Sequence, residues 1–303
     1  DYYYGDTNAV AELRKRSRDV ENSKNEFYRE DVLQPLFVDE ATWHNLKSVG
    51  IFGSTVRGEM VDIMGDLGFY TGANEYLYYG ATPVTNALFG VKYVYTRSND
   101  FVNVDTDMIK VDSEESDTTT VSMYENPDIL PIGYMVNDDI FDFGTYDNGP
   151  FTVQNELCGA LTGIEPIFVS ILDDMKVNVY GTNMDIELID DNNARYSNAN
   201  PNARGDMLYT VPHDMDLYVS TRGSNIHKLA ILIDGTEVGY DRYHGQLCHI
   251  GNLKAGQLVD IQFELVDKDG MSGDLYCYPM EFKEEQFRSF YNVMLNRGLK
   301  VSK

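Results

Sequence analysis

The sequence predicts an α+β domain over residues 1–137, an antiparallel β-sandwich of jelly-roll type over 138–283, and an amphipathic helix over 284–303. Three observations carry this reading. The second half holds many short apolar runs separated by Gly, Asn and Asp, with Asp234-Gly235 and Asp269-Gly270 as tight-turn signals. The first half mixes helical and strand periodicities. Near the end, Phe287, Phe290, Tyr291, Met294 and Leu295 form one apolar helical stripe.

Taken in order, Asp6 or Thr7 is placed to cap a short helix over Val10 and Leu13. Glu21 to Asn25 is polar, and Phe27-Tyr28-Arg29 begins a strand. Ser54 or Thr55 then precedes Val56, Met60, Ile63, Met64 and Leu67, whose spacings of three and four put all five on one helical face. Gly72 to Gly80 reads as an aromatic loop. Thr85 to Leu88 reads as a short helix stopped near Gly90, and Val91 to Thr96 as a strand. Residues 101–120 read as a hairpin or loop with an acidic crest, followed by a strand over Thr120 to Tyr124. Pro127 and Pro131 stiffen the connection beyond it.

In the second half, strands are expected over 167–171, 177–180, 186–189, 207–211, 217–220, 228–233, 247–250 and 259–265. Asn192 to Gly205, rich in Asn, reads as a long exposed turn. Glu284 and Glu285 open the terminal helix and Arg297 lies near its end, as the helix dipole favours. Gly298 terminates it, and its stripe is expected to pack on the sandwich.

A chain of 303 residues can bury a substantial core and suggests about two domains. The 24 Lys and Arg against 49 Asp and Glu give a formal charge of −25, a field that repels nucleic acid and anionic lipid headgroups. Cations and neutral sugars are compatible with it. No stretch approaches the roughly 18 apolar residues of a membrane span. The chain opens at Asp1 with neither an initiator Met nor a signal peptide, as expected of a processed form or a piece of a longer protein. Three Cys with no C-x-x-C argue against a disulfide framework and a thiolate zinc site. Cys248 and Cys277 can pair, or serve as core thiols beside Cys158.

Specific chemistry is sparse. Gly50, Gly53 and Gly58 form no phosphate-binding pattern, since Arg57-Gly58-Glu59 stands where Gly-Lys-Ser is needed. There is no G-x-S-x-G elbow. His244 and His249 can share a metal with Cys248 if a hairpin brings them together, but ordinary surface or strand histidines explain them as well. Calcium is the better metal expectation: Asp190, Asp191, Asn192 and Asn193, or Asp267 and Asp269, offer hard oxygens, though in neither case in EF-hand order. An Asx-rich turn explains both runs without metal. For glycan contact, Tyr70, Tyr76, Tyr78 and Tyr79 with Asn74 and Glu75 form an aromatic patch around a Gly-flanked loop. Tyr rings stack on sugar C–H faces while amides and carboxylates select hydroxyls; the same rings equally serve a core rim. No catalytic pair can be chosen among 49 acidic residues.

Leu88-Phe89-Gly90-Val91-Lys92-Tyr93-Val94 resembles the L-L-G-V-K-Y-I/V strand of the YfhO family of bacterial multi-span membrane proteins. Tyr124-Glu125-Asn126-Pro127-Asp128-Ile129-Leu130-Pro131-Ile132-Gly133 resembles that family's Y-E-N … A-L-P-x-G/A-F segment. Phe27-Tyr28-Arg29 is similar to its F-Y-R, and Asn45-Leu46 with Gly50-Ile51-Phe52-Gly53-Ser54-Thr55 to its N … G-I-x-x-F-S-S stretch. The four blocks keep their order and spacing over residues 26–135. Further on, Val211-Pro212-His213 and Ile233-Asp234-Gly235 are similar to the ends of P-Y-x-x-G-W-x-V-x-V-D-G but lie farther apart, and its Gly-Trp pair is absent.

The resemblance implies the extracytoplasmic part of a glycosyltransferase-like membrane protein that uses lipid-linked sugars and decorates teichoic-type cell-wall polymers. Transfer chemistry would lie near the first membrane helices, outside this chain, so no catalytic residue or cofactor is carried over. Lys92, Asn126 and Pro131 would be architectural. The implied partners are the protein's own transmembrane region and a cell-envelope glycan or polymer. Two other functions remain open: a structural or protein-binding domain, and a soluble glycoside hydrolase, which needs two carboxylates roughly 5 to 9.5 Å apart in a cleft.

Overall fold

The computed structural model describes residues 2–21, 27–98, 104–116, 118–144, 149–172, 176–242 and 245–299. It divides into two compact units. The first holds the described residues within 2–98, 104–167 and 284–299; the second holds those within 168–283. The division expected after residue 137 differs from this, because a helix the sequence reading did not anticipate, Pro150–Thr162, packs with elements of the first unit.

In the first unit, helix α1 (Tyr2–Glu21) lies on a four-stranded sheet made of β1 (Arg29–Val32), β5 (Val91–Arg97), β7 (Thr120–Glu125) and β6 (Ile109–Glu115), in that spatial order. Strands β1 and β5 run parallel; the other pairs are antiparallel. Ala9, Val10, Leu13, Arg14 and Ser17 form the buried stripe of α1, and its apolar members share a core with Tyr93, Tyr95, Val121 and Met123. The helix begins before the expected cap at Asp6 or Thr7, because packing of the apolar stripe, not one cap residue, carries its stability.

The long connection from β1 to β5 holds α2 (Glu40–Trp43), a small sheet of β2 (Ile51–Phe52), β4 (Glu75–Leu77) and β3 (Tyr70–Gly72), and helices α3 (Gly58–Asp66) and α4 (Pro83–Phe89). The single apolar face expected over Val56 to Leu67 is only partly used. Met64 and Leu67 are buried, whereas Met60 and Ile63 are exposed and Val56 precedes the helix. Helix α4 is closed at both ends: Thr82 and Thr85 form a reciprocal cap, and Gly90 ends it at φ 63°, a left-handed conformation that glycine adopts without steric cost.

The three residues expected to be architectural lie at the start of β5 and in the chain that follows β7. The Lys92 ammonium is buried, 5.3 Å from the centre of the Tyr28 ring and 4.0 Å from Glu125. Asn126 Nδ2 donates to the Val91 carbonyl at 3.0 Å, its Oδ1 accepts from the Asp128 amide at 3.0 Å, and its own amide donates to the Lys92 carbonyl at 2.7 Å. Beyond this turn Pro131 meets Gly298.

Helix α5 (Pro150–Thr162) follows a 3₁₀ turn at Asp138–Asp142, and α6 (Glu284–Asn296) closes the unit. Phe287, Phe290 and Met294 are buried, as the stripe predicts, while Leu295 is exposed. The stripe packs within the first unit, against α4 and α5, where packing on the sandwich was expected. Arg288 holds α6 in register through Asp107 at 2.6 Å and through Asp128.

The second unit is an antiparallel β-sandwich. One sheet has the order β10 (Asp185–Asp190), β11 (Asn193–Ala199), β18 (Met271–Phe282), β13 (Met215–Gly223), β16 (Cys248–Leu253), with β8 (Phe168–Ser170) also paired to β18. The other has the order β15 (Thr236–Arg242), β14 (Ile226–Ile233), β17 (Leu258–Leu265), β12 (Arg204–Thr210), β9 (Val177–Thr182). The chain changes sheet repeatedly along its length. Alternate residues face inward, as along β17, where Val259, Ile261, Phe263 and Leu265 are buried against Tyr196, Leu217, Leu275 and Cys277.

Asp234-Gly235 makes the two-residue turn between β14 and β15, with φ of 50° and 79°. The exposed turn expected at Asn192 to Gly205 is in part a strand. Although rich in Asn, β11 points Ala194, Tyr196 and Ala199 into the core, and burial outweighs low strand propensity. Strands β15 and β18 were likewise not anticipated.

All three cysteines are buried and unbridged. Burial pushes the Cys277 thiol up to about 12, and burial with the nearby Glu165 charge raises Cys158 well above the ordinary thiol range. A thiol so raised holds only about one part in ten thousand as thiolate at pH 8. Native protein is therefore expected to resist alkylation at Cys158, Cys248 and Cys277, and unfolded protein to label at all three. Intact mass after brief iodoacetamide treatment reads this; rapid native labelling of Cys277 would contradict the burial.

Candidate functional site

The sequence-derived aromatic patch divides in the structure. Tyr70 and Gly72 of β3 pair with Leu77 and Glu75 of β4, so Gly72 to Gly80 is partly a hairpin and not the expected loop. Asn74 sits at its tip with φ 62° and is exposed. Tyr70, Glu75 and Tyr76 are half-buried along the hairpin. Tyr78 and Tyr79 belong to the core: the Tyr78 hydroxyl donates to Asn86 Oδ1 at 2.8 Å, and Tyr79 oxygen accepts from Gln34 Nε2 at 3.4 Å. The hairpin thus offers Tyr70, Tyr76, Asn74 and Glu75 as an accessible subset.

Of the metal candidates, His249 is engaged elsewhere. Its ring stacks on Tyr218 at 4.4 Å, and its Nε2 lies 2.7 Å from Asp216 Oδ1. His244 lies outside the described residues. Asp267 accepts from the Asn202 amide at 2.9 Å. Among the described residues, no three His, Cys, Asp or Glu side chains converge as a metal cage.

Asp190, Asp191 and Asn192 form the turn between β10 and β11, and they line a concavity of about 340 Å³ on the second unit. Its other walls are Ser170, Leu172, Tyr276 and Tyr278. On β18 the odd residues Leu275 and Cys277 face the core, so the even residues Tyr276 and Tyr278 face outward. The two tyrosine rings are parallel to within 1°, with centroids 6.4 Å apart. Arg222, opposite Tyr276 on β13, holds its guanidinium 5.4 Å from the Tyr276 ring centre, which fixes the ring by cation–π attraction.

Burial pushes the Tyr278 hydroxyl up, Arg222 opposes this, and Tyr276 and Asp190 add to it, so Tyr278 stays a neutral hydrogen-bond donor. The Asn192 amide donates to Asp190 Oδ1 at 2.9 Å, which orders the turn. Asn192 Oδ1 is buried and has no hydrogen-bond partner among the described residues. The concavity therefore combines two half-buried aromatic faces, an open amide acceptor and two exposed carboxylates. Its volume suits a small ligand or one to two sugar rings. Asp190 and Asp191 are consecutive on a solvated turn, whereas an acid–base pair needs one carboxyl in a dry environment.

Sequence reading found the Asp190–Asn192 half of this site as a calcium candidate and missed the aromatic half. The available signal was the alternation Leu275-Tyr276-Cys277-Tyr278, which marks an aromatic face opposite a core face.

A family model described as "Bacterial membrane protein YfhO" matches residues 3–281. No curated protein matches. Among solved structures, a low-affinity xylan binding module, CBM86, from Roseburia intestinalis is 15% identical, with 39% of this chain and 96% of that one covered at a TM-score of 0.25. A family 35 carbohydrate binding module from Clostridium thermocellum is 14% identical over 38% of this chain and 97% of that one, at 0.24. The carbohydrate-binding module CBM36, in complex with calcium and xylotriose, is 21% identical over 38% and 98%, at 0.21. At these scores the likeness says nothing of what this chain binds. No helix among the described residues is long and apolar enough to cross a membrane.

Proposed function

This chain belongs to the YfhO family of bacterial membrane proteins, and on that premise we propose that it is a non-catalytic recognition region that holds a neutral cell-envelope glycan in the Tyr276–Tyr278 concavity. The observation that carries this reading is the pair of parallel, outward-facing tyrosines beside Asp190, Asp191 and the unpartnered Asn192 carbonyl. Sugar C–H faces stack on the rings, and equatorial hydroxyls reach the carboxylates and amide. The formal charge of −25 favours a neutral glycan over a teichoic-type polyphosphate, unless calcium bridges the two. The domain would act on the extracytoplasmic face, beside its own transmembrane region, and leave transfer chemistry to that region.

A second reading, contact with the membrane-embedded part of the protein, is supported by Ile132, Met135, Leu295 and Leu299. These are exposed in or beside the paired segments 133–135 and 297–299.

The Y276A/Y278A variant is expected to lose glycan affinity by about 10- to 100-fold, from about 1 to 3 kcal/mol of aromatic contact. Isothermal titration with neutral envelope oligosaccharides and with glycerol- and ribitol-phosphate polymers, with and without calcium, reads this. Silence across that panel, or undiminished binding by the variant, overturns the proposal. Y76A on the β3–β4 hairpin is the parallel test of the other aromatic patch.

A further inference from the structure

One group beside the concavity of the second unit is left unused by the glycan reading. Ala194 and Tyr196 of β11 face the sandwich core, so Asn193 points to the opposite face of the sheet. Strand register sets it directly across from Asp190 on β10 and from Tyr276 on β18, both of which line the concavity. Residues paired in this way project to the same face with their Cβ atoms about 5 Å apart. The Asn193 amide therefore lies between the Asp190 carboxylate and the Tyr276 ring. Asn193 is only 8% exposed, and its Oδ1 has no hydrogen-bond partner among the described residues.

A buried amide oxygen left open is rare in a folded protein and points to a missing partner. Here two occur in succession, Asn192 Oδ1 and Asn193 Oδ1, at the end of the run Asp190 to Asn193, in which every side chain carries oxygen. The cations near this run are engaged elsewhere or distant. Arg195 is paired to Asp274 at 2.9 Å, and Arg222 lies three strands from Asp190, on the far side of Tyr276. A water or a hydroxyl satisfies amide oxygens one at a time. A cation satisfies amide and carboxylate oxygens together and offsets the repulsion between the adjacent Asp190 and Asp191. Among the described residues no third Asp, Glu, His or Cys joins these two carboxylates, so the amide oxygens are needed to build a shell. Calcium suits that set. It takes about six to eight oxygens, accepts amide carbonyls beside carboxylates, and tolerates irregular geometry, whereas magnesium demands a near-ideal octahedron.

We propose that Asp190, Asp191, Asn192 and Asn193 bind one calcium ion at the rim of the Tyr276–Tyr278 concavity. The role of the ion rests on the glycan reading, because sugar hydroxyls would fill the coordination positions that the four side chains leave. Its binding stands apart from that reading and is measured without sugar.

The test uses the full chain, stripped of metal with a chelator. It is probed with calcium alone, with magnesium, and with terbium as a luminescent stand-in that neighbouring tyrosine rings excite. The expected result is one calcium per chain by isothermal titration at physiological salt, magnesium bound at least about tenfold more weakly, and terbium emission that falls in Y276A/Y278A. D191A and N193A are each expected to lower calcium affinity at least about tenfold. Asp191 is exposed on a turn, so D191A leaves folding intact, and far-ultraviolet circular dichroism checks the buried N193A. Calcium affinity unchanged in D191A or in folded N193A, magnesium bound as tightly as calcium, or terbium emission indifferent to Y276A/Y278A overturns the site. No calcium uptake, with glycan binding still lost in Y276A/Y278A, overturns it and leaves the recognition reading standing. Calcium uptake that D191A and N193A weaken, with silence across the sugar panel, does the reverse.

Discussion

Replacing Glu40 with alanine is expected to destabilise the protein by about 3–5 kcal/mol, because it strands a buried arginine. The Glu40 side chain is fully buried and that of Arg97 nearly so. Arg97 Nη2 donates to Glu40 Oε1, and its Nη1 donates to the Gln34 carbonyl at 3.1 Å. Glu40 Oε2 accepts the Leu36 amide at 2.7 Å, and His44 Nε2 lies 3.6 Å from Oε1. Burial pushes the Glu40 carboxyl up, but His44, Arg97 and the Leu36 amide together outweigh it and hold it below the usual glutamate range. Its share of the stability is therefore present above that range and lost as pH falls through the lowered value. The informative comparison is E40A against the double variant E40L/R97M, in urea unfolding. The single change removes the carboxylate that faces the buried Arg97; the double change removes both charges and keeps the volume, so it should recover most of the loss. An E40A cost under about 1 kcal/mol would show that the pair is solvated and not buried.

Asp31 is the second large effect, and it has the opposite pH sign. Its carboxylate gathers four donors: Oδ2 accepts from Ser48 Oγ at 2.7 Å, the Val49 amide at 2.8 Å and the Gly50 amide at 3.4 Å, and Oδ1 accepts from the Val32 amide at 3.0 Å. It pins the 48–50 loop, which leads into β2, to the end of β1. Complete burial nevertheless dominates these bonds and pushes the carboxyl up to about 6 from 3.8. The folded state thus binds this proton more tightly than the unfolded state. The associated stability is fully present below about pH 4 and is lost as pH rises through about 6, a change of about 3 kcal/mol at 1.36 kcal/mol per unit. D31A is expected to cost about 2–4 kcal/mol at low pH, from orphaned amides and a freed loop. It should also flatten the slope between pH 4 and 6. Denaturant midpoints for both proteins across that range read the two effects separately. A wild-type stability that rises from pH 4 to 6 as steeply as that of D31A would sink the assignment.

Much of the fold was legible because its signals are local. The run Val91 to Thr96, the Gly90 stop, the Asp234-Gly235 turn and the Phe287–Met294 stripe each depend on neighbours within one turn or one strand, and each appears as read. The misreadings share a cause. Across 192–205 the five Asn suggest a turn, while Ala194, Tyr196 and Ala199 adopt strand structure by burial against β18, some 80 residues away. Over 58–67, periodicity names a face but not its neighbour, so Met60 and Ile63 are left in solvent. The Pro150–Thr162 helix carried its own stripe of Phe151, Cys158 and Leu161, interrupted by a buried Gln154 that bonds to the Thr82 hydroxyl and the Leu67 carbonyl.

The candidate sites follow the same rule. Aromatic residues clustered in sequence, such as Tyr70 to Tyr79, suggested a patch; the fold places Tyr78 and Tyr79 in the core and leaves the rest on a hairpin. Tyr276 and Tyr278 lie far from Asp190 in sequence, and only the pairing of β18 with β11, which follows the Asp190–Asn192 turn from β10, brings them beside one another.

By itself the sequence determined the class of each domain, most strands and their turns, the acidic field and the YfhO blocks, because these are written in composition and short-range spacing. Only the tertiary structure decided which tyrosines form a face, which carboxylates lie buried, and which unit receives the last helix. Those outcomes depend on strand register between distant segments, where a slip of one residue exchanges core for surface.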